Sequence, residues 1–386
     1  MEAFIIDAVR TAGGRRKGRL SGVHPADLGA HVLDALMARV DVDPAKIDDV
    51  ILGCVTQGGE QTFQIARNSV LSSNLPDSVP AVTIDRQCGS SQQAIQFAAQ
   101  AVISGTQDIV IAGGVESMSR VPIFSAMKIY GDVGMPNCPI SPRIQKRYGV
   151  EMFSQFAGAQ MIADKYGFDR EALDSYALES HRRASRAIKS GAFDAEVAPI
   201  EIDGALHKED EGVRHDASYE AIASLDPLEP GGVITAGNAS QICDGAAAVL
   251  IVNERALQEH GLTPLARIID VTVTAGDPVI MLEEPINSTR RALQRAGLTI
   301  DEIDLFEVNE AFSPIPMAWL KEVEADPEKM NVHGGAISLG HPLGATGAKL
   351  MTTLVHALCN CGQRYGLQTM CEGGGIANTT IIEACR

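Results

Sequence analysis

The segment Asp43-Pro44-Ala45-Lys46-Ile47-Asp48-Asp49-Val50-Ile51-Leu52-Gly53 has a counterpart late in the chain, Leu298-Thr299-Ile300-Asp301-Glu302-Ile303-Asp304-Leu305-Phe306-Glu307-Val308-Asn309. The flanks match as well. AFIIDAVRTA and a helical pattern precede the first copy; a glycine-flanked turn at Cys88, another helical pattern and a strand ending DIVIAGG follow it. ARIIDVTVTAG and a helical pattern precede the second; a glycine-rich turn at His341, a helical pattern and a strand ending GLQTMCEGGG follow it. Self-similarity on this scale indicates a duplicated strand-helix unit. Alternating strands and helices imply an α/β fold whose sheet is mostly parallel and covered on both faces.

Outward from the repeat, Leu28, Val32, Leu36 and Val40 recur at four-residue spacing beside Leu33 and Met37, the apolar face of a helix from Ala26 to Val40. From about Ser117 the texture changes, with more prolines and glycines as far as Pro142. Two helices are then predicted, Gln155 to Tyr166 and Arg170 to Ser190. The second has Asp169 as N-cap, Glu171 in its first turn, basic residues toward its end and Gly191 as its stop. The stretch to about Ile242 therefore reads as an inserted, separately organised unit, and Gly245 to Val252 begins the return to the main body. The expected division is residues 1–117 plus 243–264, an insertion at 118–242, and residues 265–386.

Composition narrows the function. A chain of 386 residues with 45% hydrophobic and 21% charged residues is globular. Its net charge of −17 argues against nonspecific binding to nucleic acid, which needs surplus Lys and Arg. No apolar run approaches the roughly 18 to 20 residues a membrane helix needs. MEAFIIDAVR lacks the basic and apolar regions of a secretory signal, so a soluble cytoplasmic protein is expected. The 8 cysteines are irregularly spaced and suggest reduced thiols. Cys359 and Cys361 form a weak zinc signal without a matching pair, and no metal is expected.

Arg86-Gln87-Cys88-Gly89-Ser90-Ser91-Gln92-Gln93-Ala94 carries the candidate chemistry. It puts a thiol just before a helix, whose free N–H groups and partial positive charge favour a thiolate. Two readings stand side by side: a nucleophile, or a small buried hydrophobe, the usual fate of a free cysteine. The repeat favours the first. It sets His341 in the position matching Cys88, at a turn before a helix, where the two can face each other across the seam as thiol and base.

Four segments fall on predicted strand ends: Cys88-Gly89-Ser90-Ser91; Asn309-Glu310-Ala311-Phe312; Gly334 to Gly344, reading GGAISLGHPLG; and Cys371-Glu372-Gly373-Gly374-Gly375. Together they resemble the thiolase family over essentially the whole chain. The resemblance implies a thiolase-like fold, with duplicated α/β/α/β/α core domains and an inserted loop domain that binds CoA. It also implies roles: Cys88 acylated, His341 its activator, Cys371 the proton carrier, and Asn309 holding a water that joins the histidine in an oxyanion hole. A second hole would use backbone N–H groups of Cys88 and Gly373. Arg214, in Arg214-His215-Asp216-Ala217-Ser218, would meet the nucleotide end of CoA. Ser240 would contact the pantetheine arm, with Phe312 and Leu225 as apolar walls. The implied reaction is thiolysis of a 3-oxoacyl-CoA; the alternative is the condensation of two acetyl-CoA. CoA is a substrate, no metal or redox cofactor is implied, and a homodimer or homotetramer is expected.

The chain departs from the family pattern at Ser91, at Glu151-Met152 and at Glu372, where many thiolases have a small or apolar residue. DRQCGSSQQA and GLQTMCEGGG resemble the degradative branch that handles unusual or steroid-derived acyl groups. GHPLGATGAK resembles a phosphate loop superficially, but Ala348 separates Gly347 from Lys349, so a nucleoside triphosphate site is rejected. Arg182 and Arg183 are expected on a solvated helix face. His333 is expected to be structural; Glu310 either supports the catalytic residues from behind or is simply a carboxylate at a strand end, and it is not counted among them.

Overall fold

The computed structural model describes residues 1–385. In the first half, β1 (Ala3–Arg10), β2 (Gly14–Arg15), α1 (Pro25–Met37), β3 (Asp49–Gly53), α2 (Ile65–Ser72), β4 (Ala81–Ile84), α3 (Ser90–Ser104) and β5 (Ile109–Ser117) follow one another. The intervening segment carries α4 (Ser125–Asp132), α5 (Pro142–Tyr148), α6 (Gln155–Tyr166), α7 (Arg170–Ser190), the hairpin of β6 (Ile200–Ile202) and β7 (Ala205–His207), and α8 (Tyr219–Ala223). The chain returns through β8 (Cys243–Asn253) and α9 (Glu254–Glu259). The second half is β9 (Ala266–Ala275), α10 (Pro285–Ala296), β10 (Leu305–Val308), α11 (Pro314–Val323), α12 (Ala336–Leu339), α13 (Thr346–Cys361), β11 (Tyr365–Glu372) and β12 (Ile376–Ala384).

Sheet order makes the duplication visible. The strands run β4-β3-β5-β8-β1 and then β9-β12-β11-β10, joined where Ala3 to Ile5 pairs with Ala266 to Ile268. β3 lies parallel to β4 and β5, as β10 lies parallel to β11. The missing equivalent of β4 is reduced to one parallel bridge, Phe306 to Met330. Matching carboxylates brace the matching strands. Asp48 accepts from the N–H groups of Asp108 and Ile109, and Asp304 accepts from those of Arg364 and Tyr365.

The expectation of a mostly parallel sheet is corrected. β8 is antiparallel to β1 and β5, and β12 is antiparallel to β9 and β11, so each half is mixed. In the second half the physical reason is the length of the connection. Gly373 to Gly375 turns β11 straight back into β12, with φ of 86° and 77° at Gly374 and Gly375, and so short a link forms only an antiparallel pair. In the first half the corresponding link, from Ser117 to Cys243, holds the whole intervening segment.

Packing produces layers. α1 and α2 cover one sheet face through Leu28, Val32, Leu36, Ile65 and Val70. α10 and α11 cover the far face of the other half through Ile286, Leu293 and Trp319. Between the halves lie α3 and α13, sharing one apolar cluster through Ile95, Ala98, Val102, Met351, Leu354 and Leu358. α13 is buried all round from Thr346 to Leu358, as its central place requires. Lys349 on this helix donates to Asp210 at 3.2 Å and to the Leu339 carbonyl at 2.5 Å, so its ammonium serves the protein interior.

The helices at Gln155–Tyr166 and Arg170–Ser190 appear as expected, and Asp169 caps the second by accepting from Ala172 N–H at 2.9 Å. Arg183 is not solvated as expected. It is tied to Glu179 and to the carbonyls of Pro327 and Met330, bracing α7 against the second half.

Candidate active site

The turn carrying Cys88 is locked by its neighbours. Gln87 has a left-handed backbone, φ 49°, held by Asp85, which accepts from Gln87 N–H at 2.7 Å. Ser90 closes the turn, accepting from Arg86 N–H at 2.9 Å and donating to the Gln87 carbonyl at 2.5 Å. Cys88 is thereby fixed at the start of α3, at the carboxyl end of β4. The N-termini of the two central helices touch here. Ser91 Oγ accepts from Ala348 N–H at 2.9 Å, and Gly347 lies against the Gln92 backbone with no room for a Cβ.

His341 sits in the loop between α12 and α13, buried, its backbone N–H bonded to the Gln241 carbonyl at 3.0 Å. It is not at a strand end, because the strand expected before it is only the Met330 bridge. Its Nδ1 lies 2.6 Å from Thr346 Oγ1, whose own proton goes to the Pro342 carbonyl at 2.9 Å. The hydroxyl can then only accept, so Nδ1 carries the imidazole proton and Nε2 presents a lone pair. Among the described residues Nε2 has no partner. Burial, helped by the nearby Lys349 charge, lowers the His341 pKa to about 3, so the ring is a neutral base.

Asn309 and Cys371 stand at the carboxyl ends of adjacent parallel strands. Asn309 N–H bonds the Thr369 carbonyl at 3.1 Å, continuing the ladder past β10. Its amide is buried, with neither Oδ1 nor Nδ2 partnered among the described residues. Cys371 is buried near the end of β11, in an apolar cluster with Phe312, Met281 and Ile315. Burial first, then Cys88 and Glu372 wherever these are ionised, raise its pKa well above the ordinary thiol range.

The thiolate expected of Cys88 is corrected. Burial and then Glu372 push its pKa up to about 12, outweighing the backbone N–H contribution. The resting group is a thiol, and it needs a base.

Cys88 opens on a cavity of ≈ 540 Å³. One side is the core: Val55, Thr56, Gln87, Leu343, Gly373 and Gly374. The other belongs to the intervening segment and is mainly apolar, with Phe124, Met127, Ile140, Met152 and Phe153. Gly373 lies against the side chain of Gln87, the residue before Cys88. The four CoA candidates do not line this cavity. Arg214 is exposed, its N–H on His181 Nδ1 at 3.2 Å, and Leu225 is exposed against Gly237. Ser240 is half-buried and bonds the Ala311 carbonyl through its N–H, while Phe312 is buried with its ring on Phe156.

Three residues outside the candidate catalytic set hold these groups. Thr346 sets the His341 tautomer. Glu116 accepts from the N–H groups of Val55, Thr56 and Gly344 and from Gln61, fastening the cavity wall to the GHPLG loop. Glu310 accepts from Tyr176, Ser180, Asn331 and Ile337 N–H, holding the start of α12. The signal was present for Glu310, a carboxylate directly after Asn309, but its partners are remote in sequence.

Sequence models of the thiolase N-terminal domain and the thiolase C-terminal domain match residues 3–255 and 262–384. The chain is 54% identical to a steroid 3-ketoacyl-CoA thiolase of Mycobacterium tuberculosis over 384 residues, covering 99% of this chain and 94% of that one. It is 42% identical to a beta-ketoadipyl-CoA thiolase of Pseudomonas aeruginosa, with 99% of each covered. The crystal structure of a Bacillus anthracis acetyl-CoA acetyltransferase superposes with a TM-score of 0.91 at 36% identity, over 100% of this chain and 99% of that one.

Proposed function

The chain belongs to the thiolase family, and on that premise we propose that it cleaves a bulky 3-oxoacyl-CoA with CoA, carrying the acyl group on Cys88. His341 Nε2 takes the Cys88 proton, and the thiolate attacks the C3 carbonyl carbon. The C2–C3 bond breaks, leaving an acyl-enzyme, and the departing acetyl-CoA enolate takes a proton from Cys371. The Cys371 thiolate then deprotonates CoA, whose sulfur accepts the acyl group from Cys88. Asn309, with its unpartnered amide, is suited to hold a water that joins His341 in stabilising an oxyanion, and backbone N–H groups of Cys88 and Gly373 serve the other oxyanion. CoA enters as a substrate, its nucleotide end toward Arg214 and its pantetheine arm past Ser240, Leu225 and Phe312.

The observation that carries this reading is the ≈ 540 Å³, largely apolar cavity at Cys88, far more room than an acetyl group needs. It favours thiolysis of a large acyl chain over condensation of two acetyl-CoA. The same space suits a fused-ring acyl group such as the steroid relative's name implies. Residues 1–117 with 243–264, 118–242, and 265–386 serve as the three units, in a cytoplasmic homodimer or homotetramer. Among the described residues no helix is long and apolar enough to cross a membrane.

Purified protein incubated with CoA and 3-oxoacyl-CoAs of several sizes should release acetyl-CoA, fastest with bulky alicyclic acyl groups. Cys88→Ala should abolish release, and His341→Ala and Cys371→Ala should each reduce it by orders of magnitude. Full activity in Cys88→Ala, or no cleavage of any substrate by the unaltered protein, overturns the reading.

A further inference from the structure

Glu372 lies between Cys371 and Gly373 and is fully buried. Strand alternation turns it to the opposite side from Cys371, toward the start of α3. There its carboxyl rests on Gly89, the residue after Cys88, so closely that a Cβ on Gly89 would overlap it. Asn378 of β12 borders the same spot, donating to the Gly89 carbonyl at 3.2 Å. Among the described residues neither Glu372 oxygen has a hydrogen-bond partner, and neither does the buried Nε of Arg86 nearby.

The duplication supplies the contrast. β3 pairs Asp49 with Val110, and β10 pairs Leu305 with Gly366 in the same register, which makes Glu116 and Glu372 equivalent positions. Glu116 accepts from three backbone N–H groups and Gln61, and binds the fold together. Glu372 has no such work. A buried carboxyl without donors is stable only when protonated.

We propose that Glu372 is a charge gate on the two working thiols: protonated, it permits Cys88 to be ionised by His341; ionised, it holds Cys88 and Cys371 as thiols. The groups that face it are few. The loop entering α3 offers Arg86, which favours its ionised form, and Asp85, which opposes it; Cys88 ends that loop, and Cys371 precedes it on β11. Glu116 bears on Cys88 more weakly than Glu372 does. Burial dominates and raises the Glu372 pKa well above the ordinary carboxylate range. Glu372 touches no part of the cavity at Cys88, so it acts through the thiols and not on the acyl group. The gate rests on the reading of Cys88 and Cys371 as the working thiols.

The test is the rate of Cys88 alkylation by iodoacetamide against pH, with the modified peptide identified by mass spectrometry. Three proteins are compared: unaltered, Glu372→Gln and Glu372→Met. The curves should converge as the pH falls and separate as it rises and Glu372 ionises in the unaltered protein, with the variants then alkylating about tenfold faster because a nearby negative charge is gone. Two variants guard against one failing to fold, and since the oxygens have no partners, the apolar methionine should be tolerated. Curves that superimpose at all pH values, or variants that react more slowly, overturn the gate. Acetyl-CoA release by the unaltered protein reports separately on the thiolase reading.

Discussion

In the N-terminal half the carboxylate near the end of β5, Glu116, is enclosed by donors from two loops and acts as a structural tie. In the C-terminal half the equivalent carboxyl near the end of β11, Glu372, is enclosed just as fully, with no donor among the described residues. The difference follows from what leaves each strand. After β5 the chain departs into the long intervening segment, and the loop at Val55 and Thr56 folds over Glu116. After β11 three glycines turn the chain back at once, leaving Glu372 against the helix that bears Cys88. A duplicated frame thus keeps the same residue in both copies, and neighbouring loops decide whether it bears load or titrates.

The comparison can be broken by substituting each carboxyl. Glu116→Gln should cost about 2–3 kcal/mol, because an amide turns its NH2 toward N–H donors that need an acceptor. Glu372→Gln should change stability by less than about 0.5 kcal/mol, since no hydrogen bond is lost. Urea unfolding of both variants measures the difference, and equal losses would show that Glu372 is a tie as well.

A smaller effect sharpens the contact at Gly89. Gly89 has an ordinary φ of −87°, so its backbone tolerates alanine; the obstacles to a Cβ are the Glu372 carboxyl and the Asn378 amide. Gly89→Ala should destabilise by about 1–2 kcal/mol and slow turnover. Adding Glu372→Ala should restore much of both. A double variant no better than the single one would mean that the two residues are not in contact.

A further effect concerns acid. His341 is neutral in the fold, with its pKa lowered to about 3, whereas an unfolded histidine titrates near ~6.5. Between those values the unfolded chain binds a proton that the folded one refuses. Stability from this group is therefore complete above about pH 6.5 and lost as pH falls toward 3. Melting temperatures at pH 7.5 and pH 5, compared between the unaltered protein and His341→Asn, should show the shallower acid loss in the variant.

Much of the frame was legible because it repeats. The pairing of DPAKIDDVILG with LTIDEIDLFEVN located β3 and β10, and the cap at Asp169 with the stop at Gly191 located α7. The parallel sheet was misread because Gly373-Gly374-Gly375 looked like a functional loop, when it is also the hairpin that makes β12 antiparallel. Arg183 was misread because its carbonyl partners lie more than a hundred residues away, beyond the reach of helical periodicity.

By itself the sequence determined the duplicated α/β frame, the intervening segment and the candidate set of Cys88, His341, Asn309 and Cys371, because these are properties of local pattern and of motif. Only the tertiary structure decided the protonation of that set. Burial makes Cys88 a thiol, Thr346 leaves His341 Nε2 bare, and Glu372 is left without a donor among the described residues. Protonation depends on desolvation and on partners across the fold, and neither is written along the chain.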